Sequence, residues 1–90
     1  MPSHEDYVRR SRERKAEAIA LHLAQLGRGL LHTARDWHML ATLVHRQQPR
    51  QWIALAAEAG QRPPSLATQR RVVDLLVAWG VAAAAARAGR

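Results

Sequence analysis

Five residues in the C-terminal half, Ser65, Thr68, Gln69, Arg70 and Arg71, carry the side chains best suited to contacting another molecule. Arginine can bridge guanine O6 and N7, and glutamine can bridge adenine N6 and N7, each pair giving ~1–3 kcal/mol of discrimination between bases. The spacing puts all five on the first two turns of a helix opened by Ser65 as its cap. Arg50 and Arg62 lie just upstream, where they would hold phosphates and fix register without reading sequence. Arg70 and Asp74 stand four apart, so the helix itself is expected to occupy one arginine.

A second basic element is Arg9-Arg10-Ser11-Arg12-Glu13-Arg14-Lys15. Arg9, Arg10, Arg12 and Arg14 suit phosphate contacts, whose affinity falls with salt as counterions are released. Glu13, with Glu5, Asp6 and Glu17 nearby, weakens that field, and a solvated helix face is the competing reading. Residues 1–29 carry six basic and four acidic side chains, a net of +2, whereas residues 61–90 carry five and one, a net of +4. The C-terminal third is the more basic, in agreement with a contact placed there.

The elements that must position these groups read as helices. Phenylalanine is absent, alanine is abundant, and β-branched residues are too scattered for strands. Ser3 with Asp6 imitates a capping box, and a first helix runs until Gly27-Arg28-Gly29 stops it. A second begins near Leu30 or at a Thr33 cap, with Leu30, Leu31, Ala34, Trp37, Leu40, Ala41 and Val44 as its apolar stripe. Pro49 ends that helix and starts a third, whose buried face is Trp52, Ile53, Ala56 and Ala57 and which Gly60 closes. The fourth runs from about Leu66, with Leu66, Val73, Leu76 and Val77 inward and Val72 and Trp79 at the edge. Gly80 is its end or an interior glycine. The fold class expected is all-α, a compact bundle of about four helices. Its parts are a polar basic arm (1–15), a helical core (16–80) and an Ala-rich extension (81–90).

Ala56, Gly60 and Leu66 carry a further signal. A small residue, a glycine four later and an aliphatic residue six beyond would give close helix approach, positive φ at the turn and a buried anchor. Over residues 52–73 this resembles the helix-turn-helix of small bacterial and phage DNA-binding regulators. The resemblance implies that the helix from Ser65 enters a major groove. Pro63-Pro64 inside the turn, and Gln69 where such motifs bury an aliphatic side chain, depart from the pattern.

Other chemistry finds little support. The chain has no cysteine, hence no disulfide and no thiolate metal site. His22, His32, His38 and His45 lack the i,i+4 spacing that puts two ligands on one helix face, and His38 and His45 are about 10 Å apart by helical rise. No metal and no cofactor are expected. Asp36 near His38 has no Ser or Cys nucleophile motif beside it, so an enzyme is not expected. Gly27-Arg28-Gly29 lacks the length and the Lys-Ser/Thr ending of a phosphate-cradling loop. Trp37, Trp52 and Trp79 fall one per helix and are expected to form a shared aromatic core. The run Leu75–Ala86 is short of the roughly 20 residues that span a bilayer, and the charged N-terminus is unlike a secretory signal. A cytoplasmic protein is expected, with no membrane contact.

Thirteen arginines and one lysine give a formal charge of +7, which favours phosphates or acidic protein surfaces. The expected function is that of a nucleic-acid binder, duplex DNA above all, acting as a sequence-specific regulator and working as a homodimer. The alternative is a non-catalytic helical adaptor or inhibitor, binding an acidic protein partner or serving a ribonucleoprotein.

Overall fold

In the computed structural model, which describes residues 3–89, four helices account for most of the described chain: α1 (His4–Leu26), α2 (Ala34–His45), α3 (Pro49–Glu58) and α4 (Leu66–Ala88). Their ends follow from local chemistry. Ser3 accepts from the Asp6 N–H while the Asp6 carboxylate accepts from the Ser3 N–H, and Thr33 and Asp36 repeat the arrangement at α2. Pro49 is the first residue of α3, where no donor is required. At its far end the Gly60 N–H bonds to Ala57 O (3.0 Å) and the Gln61 N–H to Ala56 O (2.8 Å), with Gly60 at φ +74°. That double closure needs a left-handed residue, which glycine supplies without strain.

The long α4 is the centre of the bundle. On one side α2 runs antiparallel to it, with Trp37 against Gly80 and Trp79 at one end and His45 and Gln47 beside Leu66 and Gln69 at the other. On the other side α1 runs in the same direction, placing Val8 and Ser11 beside Ser65 and Thr68, and Glu13 beside Arg71. The short α3 packs on α1, tied there by a hydrogen bond between His22 Nε2 and Glu58 Oε2 (3.0 Å). The result is a slab of 42 × 35 × 19 Å, its thinnest dimension about two helix diameters. Buried residues run from Ala16 to Gly80. Both α1 and α4 pass unbroken through residues 15–16 and 80–81, and the outermost limits of the arm and the extension, Met1, Pro2 and Arg90, lie outside the described residues.

Several expected inward residues are placed differently. Leu30 and Leu31 precede α2, because the Thr33 cap sets its start, and Leu30 is 74% exposed. On α3 the buried set is Trp52, Leu55 and Ala56, whereas Ile53 and Ala57 face outward. On α4 the buried set is Thr68, Val72, Leu75, Leu76 and Gly80, and Leu66 is 71% exposed. That arc is rotated by about a quarter turn from the expected stripe. The reason is that α4 is apolar on most sides, so its neighbours set the rotation and hydropathy does not.

The pairing of α3 with α4 implied by the Ala56–Gly60–Leu66 spacing is not confirmed. Gly60 adopts the expected positive φ and Ala56 is fully buried, but Leu66 anchors nothing. Among the described residues α3 makes its close backbone approach to α1, and α4 makes its own to α1 and α2. The physical cause is the linker. Gln61–Ser65 has no helical or turn structure, unlike the short turn that joins such a pair. The three tryptophans also divide: Trp37 and Trp79 meet edge to face (centroids 6.5 Å, 86°), while Trp52 is buried with the α3 residues of the core.

Candidate nucleic-acid interface

At the start of α4 the fold uses most of the side chains that the spacing offers to a ligand. The Ser65 hydroxyl accepts from the Thr68 N–H (3.2 Å) and shares a hydrogen bond with the Thr68 hydroxyl (3.0 Å). Thr68 is 3% exposed, so it belongs to the core and not to a contact surface. Gln69 Nε2 donates to Pro64 O (3.2 Å), bracing the linker. Arg71 forks onto Glu13 of α1, with Nε donating to Oε2 at 2.7 Å and a terminal nitrogen donating to Oε1 at 2.7 Å. The arginine held in place is therefore Arg71, by another helix, and not Arg70 by Asp74. Arg70 is exposed and makes no side-chain hydrogen bond or ion pair among the described residues.

The Glu13–Arg71 contact shifts both groups. The hydrogen bond from Arg71 holds the Glu13 carboxyl below its ordinary 4.5, and Glu13 in turn raises Arg71. The unfolded chain binds a proton at Glu13 more readily than the folded one, so the contribution is present above pH 4.5 and is lost as pH falls through the lowered value. Both side chains are more than a third exposed, which places the pair with surface bridges worth ~0.2–1 kcal/mol. Urea melts from pH 7 to pH 3 should show stability falling below about pH 4.5, with a shallower fall in Glu13→Gln. An identical fall in the variant would deny the pair its role. Asp36, lowered by the N–H groups of Thr33 and His32, supplies part of the acid loss that remains.

The same parallel run of α1 and α4 brings the two basic elements together. Arg9, Arg12, Arg70 and Arg71 line one groove of about 310 Å³ between the helices, with Glu13, Ala67 and Asp74. Arg12 also faces the neighbouring depression formed with Lys15, Ser65 and Thr68, and Arg70 reaches the one formed by His45, Gln47 and Gln69. Arg9 bonds to Asp6, which leaves it partly neutralised. Arg10 and Arg14 lie on the opposite, outer face of α1 and are exposed, so the N-terminal run divides between two surfaces. Arg50 at the start of α3 and Arg62 in the linker are exposed and unpaired among the described residues. The sequence reading missed His45 and Gln47 beside Arg70, and it missed Glu13 as a partner. No local signal joins residues 58 positions apart.

Among the described residues no group of three or more His, Asp or Glu side chains is arranged to hold a metal, and no helix is long and apolar enough to cross a membrane. No family model matches this chain, and neither a curated protein nor a solved structure matches it.

Proposed function

We propose that this protein binds nucleic acid, duplex DNA in the first instance, by laying a phosphate backbone along the groove between α1 and α4. The observation that carries the reading is the convergence of Arg9 and Arg12 with Arg70 from sequence positions more than fifty residues apart. Glu13 and Asp74 share the groove, so its field is moderate, and the overall charge of +7 supplies the longer-range attraction. Phosphate contact fixes position, and sequence is read elsewhere. The finer role of a sequence-specific regulator rests on Arg70, with the remaining acceptor of Gln69 beside it. Dimerisation would double such contacts on a duplex at one-turn spacing.

The test is fluorescence anisotropy of the full chain against a randomised 30-base-pair duplex pool at low and near-physiological salt, followed by sequencing of the bound fraction. Binding that weakens steeply with salt supports the phosphate groove, and a recovered motif, above all a palindrome, supports the regulator. Absence of binding at low salt removes the proposal. Arg70→Ala should flatten preference at one or two base pairs, whereas Arg50→Ala and Arg62→Ala should weaken all sequences alike. A second reading, a non-catalytic adaptor for an acidic protein or ribonucleoprotein, is favoured by one observation: a bare apolar groove at the other end of α1.

A further inference from the structure

We infer that the groove between the C-terminal end of α1 and the outer face of α2 is a docking site for an amphipathic helix with acidic flanks. The groove measures about 280 Å³ and is walled by Gly27, Leu30, Leu31, Met39, Leu40 and Leu43. Leu30, Met39 and Leu43 are 74%, 55% and 63% exposed. Side chains of this size in one contiguous patch mark interaction sites far more often than lone exposed leucines do. The slab explains the patch. Helix α2 turns Ala41 and Val44 to the core, and among the described residues nothing covers the side that carries Met39 and Leu43.

Shape selects a helix. Met39 and Leu43 are one turn apart on α2, and Leu30 and Leu31, from the segment that precedes the helix, line the same groove. A partner helix fits such a groove with anchors at i, i+3 or i+4, and i+7.

Charge selects the flanks. Arg35 lies one turn before Met39, Arg46 almost one turn beyond Leu43, and Arg28 adjoins Gly27; all three are exposed and unpaired among the described residues. Among the described residues the one acid that lines the groove, Asp36, already accepts from the N–H groups of Thr33 (2.8 Å) and His32 (2.9 Å). A second copy of the chain would bring the same arginines and another +7 against this rim, so a partner of opposite sign is the better complement. This surface is at the end of α1 remote from Arg9 and Arg12, and the inference stands whether or not that groove binds DNA.

The experiment titrates the full chain into two fluorescein-labelled 20-residue synthetic helices. Both have leucine at every third and fourth position, and their flanks are glutamate in one and lysine in the other. The glutamate helix should bind at least tenfold more tightly than the lysine helix. Leu43→Ser and Arg35→Glu/Arg46→Glu, all at exposed positions, should each weaken it tenfold or more with unchanged circular dichroism. Duplex binding should be unaltered in Leu43→Ser. Equal binding of both helices, or binding indifferent to Leu43→Ser, overturns the inference. So does concentration-dependent self-association in sedimentation that Leu43→Ser abolishes, which would assign the groove to a second copy. Preferential capture of the groove by anionic phospholipid vesicles, lost in Leu43→Ser, would assign it to lipid and overturn the inference as well.

Discussion

Gly80→Ala is expected to destabilise the protein by about 2–3 kcal/mol, although alanine is the better helix former by ~1 kcal/mol. The cause is the crossing of α2 over α4. A Cβ at residue 80 would overlap Trp37 Cβ and come within 2.8 Å of its Cγ. The Trp37 Cβ is fixed by the backbone of α2, so no rotamer change at Trp37 relieves that overlap, and α2 must move away from α4. Overpacking of this kind costs ~1–3 kcal/mol, occasionally more. It would also disturb the edge-to-face contact of Trp37 with Trp79, itself worth ~0.5–1.5 kcal/mol. For a domain of this size the loss should lower Tm by roughly 10–20 °C, with weakened near-ultraviolet dichroism from the tryptophans. Ala78→Gly on the exposed face supplies the comparison, since it should cost only the propensity of ~1 kcal/mol. A Gly80→Ala protein as stable as wild type would mean that α2 and α4 are not packed this closely.

Gly80 also shows where the sequence was legible and where it was not. Its two readings, helix end and tolerated interior residue, could not be separated from one side, because the reason for glycine lies on another helix 43 positions away. Features written within four or five residues were readable. Ser3 with Asp6, Thr33 and Ser65 cap the helices they were expected to cap, and Gly60 closes α3. Features decided by packing were not. The rotation of α4 depended on α1 and α2 together, since Val72, Val73, Leu75, Leu76 and Val77 leave little hydrophobic contrast around the helix. The Ala56–Gly60–Leu66 spacing met its backbone requirement but not its packing requirement, because Leu66, beyond the Pro63-Pro64 linker, is left in solvent. Of the candidate site, the residue types were readable from the chain, but their availability was not. Thr68 is buried and Arg71 is held by Glu13, and both facts depend on α1 lying parallel to α4.

That parallel arrangement makes the largest functional prediction. Replacing Arg9, Arg12 and Arg70 together with glutamine should remove most of the phosphate contact without touching the core, because none of the three is buried. Each lost phosphate contact lowers the slope of log K against log salt by about 0.9 on duplex DNA, so the triple variant should be flatter by roughly 2.7. Between 50 and 200 mM salt, about a fourfold change, wild type should therefore lose roughly 40-fold more affinity than the variant. Glu13→Gln makes the opposite change at the same place: it removes a negative charge from the groove and loosens the hold on Arg71. Its binding at low salt should be tighter and its slope steeper by about one. The pair of variants separates a groove from a diffuse positive charge. If Arg10→Gln/Arg14→Gln/Arg87→Gln, on other surfaces, reduces the slope as much as the groove variant does, attraction is set by net charge alone and the α1–α4 groove has no privileged role. If only the groove variant flattens the slope, and Glu13→Gln steepens it, the two arginine sets that the chain writes more than fifty residues apart form a single binding surface.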